Sequence, residues 1–82
     1  MAHFLYILYS NSKDKFYIGQ TDNLESRLVY HNSGYVHSTK YGRPWKLIFS
    51  KEYPNRSEAM KEESRLKRAK NRSYLQKYIS DG

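Results

Sequence analysis

The chain has 82 residues, 38% of them hydrophobic and 16% aromatic, which is enough for one domain spanning residues 1–82 and for no second core. The absence of Cys excludes a disulfide framework and a thiolate zinc site, and the longest apolar run, Phe4 to Tyr9, is too short to cross a bilayer and lacks the flanks of a signal peptide. A cytoplasmic protein with no membrane partner is the expectation, and its formal charge of +7 points to a polyanion. The basic groups cluster: residues 26–51 hold five Lys or Arg and residues 64–80 hold six, with no acid in either stretch. Interleaved with Tyr, which makes up nine of the thirteen aromatics, such stretches suit a nucleic acid.

In chain order, Phe4–Tyr9 reads as a first strand, Ser10–Asp14 as a polar turn and Phe16–Gly19 as a second strand, forming a hairpin over residues 3–20. Asp22 stands three before Glu25, which predicts a capping box with Asp22 as N-cap, then a helix of about ten residues stopped by Gly34. Residues 35–44 read as irregular with a short helical turn, Trp45–Phe49 with Tyr53 as a third strand, and Pro54-Asn55 as a turn. Ser57 and Glu58 open a helix running to about Lys70, and Asn71–Ile79 a last basic helix. The order β-β-α-β-α-α defines an α+β domain.

If the hairpin loop is centred between Asn11 and Ser12, Tyr6 faces Tyr17 directly across the ladder. Such a pair serves as ordinary cross-strand packing or as two hydroxyls of a site. Gly19, at the end of the second strand, is a turn residue or a place where a ligand approaches the backbone. On the first helix, with Leu24 at zero, Leu28 lies at about +40°, His31 at about −20° and Arg27 at about −60°. Arg27 and His31 are therefore neighbours beside the apolar stripe, and an Arg there either snorkels or meets an anion. On the later helix Ala59, Met60, Leu66 and Ala69 form an apolar arc; Glu63 lies about 30° from its centre and Glu62 about 70°, with Lys70 also inward. An inward carboxylate needs a partner: Arg27 as a structural ion pair, or a divalent cation. Tyr, Tyr, Arg, His and one Glu in a basic domain match the needs of single-metal phosphodiester hydrolysis.

Tyr17-Ile18-Gly19 with Gln20-Thr21-Asp22-Asn23-Leu24, preceded by Phe4-Leu5-Tyr6 with ten residues between the two Tyr, resembles the signature of the GIY-YIG nuclease superfamily. Arg27, His31 and the stretch Glu58 to Lys67, with Glu63 as the matching carboxylate, continue the resemblance, which runs from Phe4 to about Ile79 and is nearest to small stand-alone bacterial members of the URI type. The first tripeptide departs from the family pattern by lacking its Gly.

The resemblance implies a three-stranded antiparallel sheet flanked by helices and cleavage of DNA dependent on a single Mg²⁺ or Mn²⁺ ion, in repair, recombination or processing. It also implies the roles: Tyr6 relays a proton from water, Tyr17 positions water or phosphate, Arg27 holds the phosphate, His31 accepts or steers a proton, Glu63 binds the metal and Gly19 gives room to substrate. Lys67, Lys70 and Arg72 of the C-terminal basic stretch are the expected backbone-phosphate contacts. Because better-known members of that family carry added DNA-targeting domains, the resemblance also implies a protein partner for targeting. The alternatives are a nucleic-acid-binding module without turnover, and a structural domain in which Glu63 and Arg27 form only a salt bridge.

Overall fold

A computed structural model describes residues 2–69 and 71–81. Strands β1 (His3–Ser10) and β2 (Lys15–Thr21) are followed by helix α1 (Leu24–Ser33), a 3₁₀ turn at His37–Gly42, strand β3 (Trp45–Tyr53) and helices α2 (Arg56–Ala69) and α3 (Arg72–Asp81). The three strands form one antiparallel sheet in the order β2-β1-β3. The α+β class and the helix-flanked three-stranded sheet are as the sequence leads one to expect.

The central strand is covered on both faces, which is why its sequence is an unbroken apolar run and not an alternation. Leu5 and Ile7 point to one side, where Ile18, Leu66 of α2 and Leu75 of α3 complete a core. Tyr6 and Leu8 point to the other, where they meet Trp45, Tyr17, and Leu24 and Leu28 of α1. Each fully buried Leu or Ile contributes about 1.5–3 kcal/mol through lost apolar surface. The second core is built on a Tyr and a Trp, whose polar atoms must find partners inside it.

Local chemistry sets the helix starts. The capping box expected at Asp22 is not used. Asn23 is the N-cap, its side chain accepting from the Ser26 N–H at 3.1 Å. The shift has a cause: β2 runs on to Thr21, whose Oγ1 accepts the Asn23 N–H at 3.2 Å and sets the turn one residue later. Asn55 caps α2 in the same way through the Glu58 N–H at 3.0 Å, and Asn71 caps α3 through the Ser73 N–H at 2.9 Å. Gly34 ends α1 in the left-handed conformation at φ 90, where a Cβ would be strained.

The hairpin register differs from the expected one by two residues. Tyr6 pairs with Gly19, and Tyr17 with Leu8. The turn is centred later because Asp14 takes a left-handed backbone at φ 52, a conformation that Asp tolerates. A slip of two preserves faces, so Tyr6 and Tyr17 still share one side but are diagonal and not opposite. On α2, Ala59 and Leu66 are buried as expected, whereas Met60 is 43% exposed and lies outside the core.

Candidate active site

Four of the residues singled out from the sequence come together on the α1 side of the sheet. Tyr6, from the central strand, is only 2% exposed, and its Oη lies 2.9 Å from His31 Nε2. Arg27 Nε–H donates to the same oxygen at 3.5 Å. The Tyr17 ring stacks beside Tyr6 at 6.4 Å between centroids and meets His31 edge-on at 4.7 Å. The i, i+4 spacing on α1 delivers Arg27 and His31 to one phenol, because the helix lies along the face that carries Tyr6 and Tyr17.

The electrostatics follow from burial. His31 is fully buried, and burial, helped by the Arg27 charge, holds its imidazole down to about 4. It is neutral at physiological pH. The Tyr6 phenol is held above its ordinary value, chiefly by burial; the Arg27 hydrogen bond opposes this, and Tyr17 and the Glu63 charge add to it. Glu63 is thus felt electrostatically at Tyr6, although α2 packs against the opposite side of the sheet. The phenol reaches toward the edge strand, since it fills the space over Gly19: a Cβ built there would overlap the Tyr6 ring and hydroxyl. The room that Gly19 provides is taken by Tyr6, a correction to the expectation that it opens space for substrate.

The two adjacent acids on α2 are separated by their partners. Their side-chain exposures are 18% for Glu62 and 19% for Glu63, so the wheel's ranking of one as inward and the other as marginal does not hold. Glu62 accepts two hydrogen bonds from Arg65, each at 2.7 Å, and one from Tyr78 at 2.8 Å, and is held at about 2, first by the Arg65 bonds. It ties α2 to α3. Glu63 is engaged by Lys67 Nζ at 2.8 Å and not by Arg27, so the imagined Glu63–Arg27 bridge is absent.

The expected phosphate contacts are also placed. Lys67 lies on Glu63, while Arg72 forms a two-pronged ion pair with Asp14, one prong at 2.8 Å, which anchors α3 to the hairpin turn. Lys70 lies outside the described residues.

No group of three His, Cys, Asp or Glu gathers among the described residues. One hard-oxygen carboxylate nonetheless suits a cation that keeps most of its water and leans on substrate phosphate, as Mg²⁺ does. Lys67 is half exposed, and an i, i+4 pair of this kind is worth only about 0.2–0.5 kcal/mol, so it yields readily to a dication. Glu63 is the residue here that fits such an ion.

Sequence reasoning missed Thr39. It is fully buried in the 37–42 turn, with its Oγ1 2.9 Å from His31 Nδ1. No periodicity marks a single Thr in an irregular segment, so only the tertiary contact reveals it.

The site on the α1 side of the sheet is therefore a buried Tyr–His pair beside an Arg, with Glu63 on the helix across the sheet. Residues 2–78 match the model of the GIY-YIG catalytic domain, and the chain belongs to this nuclease family, whose members act on nucleic acids and use divalent metal ions. It is 41% identical over 66 residues to a UPF0213 protein of Oceanobacillus iheyensis, covering 79% of this chain and 76% of that one. A UPF0213 protein of Streptococcus pneumoniae is 36% identical over 85 residues, covering 99% and 83% of the two chains. The solution NMR structure of a UPF0213 protein from Bacillus halodurans superposes with a TM-score of 0.61 at 29% identity, over 98% of this chain and 84% of that one.

Proposed function

We propose that the protein is a divalent-metal-dependent endonuclease that hydrolyses DNA phosphodiester bonds. The observation that carries this reading is the Tyr6 hydroxyl held between His31 Nε2 at 2.9 Å and the Arg27 guanidinium at 3.5 Å. A buried phenol with a neutral imidazole beside it can pass a proton from water: Tyr6 takes the water's proton as its own moves to His31. The hydroxide formed attacks phosphorus as the bond to the leaving oxygen breaks, and that oxygen takes up a proton from water. Arg27 offsets the charge that builds on the phosphate, and Tyr17 positions water or phosphate.

In the free protein burial holds the His31 imidazole low, which makes it a weak proton acceptor. A dication bound at Glu63 would polarise the phosphate and make bound water more acidic, which lightens the demand on His31. The test is nicking of supercoiled and of single-stranded DNA with Mg²⁺ or Mn²⁺, wild type against Glu63→Gln. Metal-dependent cleavage lost in the variant is expected. Wild type that binds DNA and never cuts it would leave a binding module instead.

A further inference from the structure

We infer that Thr39 is a positioning residue that fixes His31 as the Nδ1–H tautomer, so that Nε2 is free to receive the Tyr6 proton. The catalytic meaning of this role rests on the nuclease reading; the tautomer itself does not.

Tyr6, His31 and Thr39 are all buried, so each polar atom needs a partner within the protein. Arg27 can only donate, and it donates to Tyr6 Oη. The Tyr6 O–H must itself find an acceptor, and His31 Nε2 at 2.9 Å is the one that it contacts. Nε2 therefore carries no proton. A neutral imidazole then carries its proton on Nδ1, which donates to Thr39 Oγ1 at 2.9 Å. The Thr39 hydroxyl in turn donates to the Val36 carbonyl at 3.4 Å. All four bonds are then satisfied in one direction, from His31 toward Val36 on one side and from Arg27 through Tyr6 to His31 on the other. The opposite tautomer would turn Nε2–H on Tyr6 and leave the buried Tyr6 hydroxyl without an acceptor, which carries the desolvation cost of an unmade bond.

The turn that bears Thr39 is itself anchored. Trp45 Nε1–H donates to the Thr39 carbonyl at 2.7 Å. The Trp45 backbone exchanges two hydrogen bonds with Asn32 of α1, at 2.6 and 3.1 Å, one residue beyond His31. Thr39 is thus tied to the same helix whose His it orients, as outer partners of functional His residues commonly are.

The test is long-range ¹H–¹⁵N NMR of the His31 ring in the full chain, free of metal and DNA, for wild type, Thr39→Val and Thr39→Ser. Wild type is expected to show a protonated Nδ1 and a bare Nε2, Thr39→Val to lose that single tautomer, and Thr39→Ser to keep it. A wild-type ring protonated on Nε2 overturns the inference, and this reading needs no variant to fold. An unchanged tautomer in folded Thr39→Val overturns it as well. In cleavage assays Thr39→Val should fall about 10–100-fold while Thr39→Ser stays near wild type; full activity in Thr39→Val with the tautomer lost would overturn the positioning role. Wild type that shows the Nδ1–H tautomer without cutting DNA would sink the nuclease reading and leave the tautomer assignment standing.

Discussion

Tyr6 stands directly across the β1–β2 ladder from Gly19, and its phenol fills the volume that a Cβ at Gly19 would need. The overlap involves the ring as well as the hydroxyl, so a methyl group requires the buried Tyr6 ring itself to move. Gly19→Ala should destabilise the fold by about 1–3 kcal/mol through overpacking. It should also displace Tyr6 from His31. Urea unfolding measures the first effect, and an unshifted midpoint would mean that Tyr6 swings aside freely.

Arg27→Ala should abolish cleavage and leave the fold intact. The side chain is only partly buried and its contacts are to Tyr6 Oη and, by stacking at 5.3 Å, to Tyr30. Loss of a charge-stabilising donor costs about 3 kcal/mol at the barrier, roughly a hundredfold or more in rate. Activity within a few-fold of wild type would make Arg27 a structural residue.

Glu62→Gln and Glu63→Gln should separate cleanly. Glu63→Gln should remove metal-dependent cleavage and preserve or tighten DNA binding, because a negative charge beside phosphate is lost. Glu62→Gln should keep cleavage and loosen the α2–α3 packing that Arg65 and Tyr78 maintain. A cleavage assay paired with thermal unfolding reads both. A dead Glu62→Gln beside a live Glu63→Gln would reverse the assignment.

Stability should rise with pH between about 4 and 6.5. In that window the unfolded chain protonates His31, whose ordinary value is 6.5, while the folded chain, at about 4, does not. The folded state therefore loses stability as pH falls through the window, on the order of 2 kcal/mol in all. Asp14 and Glu62, both held at about 2, lose their contributions as pH falls from their ordinary values of 3.8 and 4.5, so the upper part of the window belongs to His31. Urea midpoints against pH for wild type and His31→Gln provide the check, and equal slopes would exclude His31 as the titrating group.

DNA affinity should fall steeply with salt. Each phosphate contact adds roughly 0.7–0.9 to the log–log slope, so neutralising Lys67, Lys70 and Arg72 together should flatten it by about two units. Arg72→Gln should in addition free the hairpin turn from α3, because its guanidinium holds Asp14. An unchanged slope in the triple variant would mean that this stretch faces away from the nucleic acid.

Local rules made much of the molecule legible from its sequence alone. The order of elements, the α1 stop at Gly34 and the pairing of Arg27 with His31 on one helix face all follow from periodicity and turn chemistry within a few residues. The Tyr-Ile-Gly signature with its spaced Arg, His and Glu marked the family for the same reason: motif spacing is a property of the chain. Tertiary structure alone decided the rest. The hairpin register moved by two residues because one left-handed Asp14 recentred the turn. Glu62 and Glu63 proved equally covered, and only their partners, Arg65 with Tyr78 against Lys67, distinguish them. Gly19 took its meaning from a ring on the neighbouring strand, and Thr39 from an imidazole eight residues away in sequence. A helix wheel gives directions but not neighbours. Which polar atoms are shut away from water, and which partner each then must take, is settled only when the elements pack.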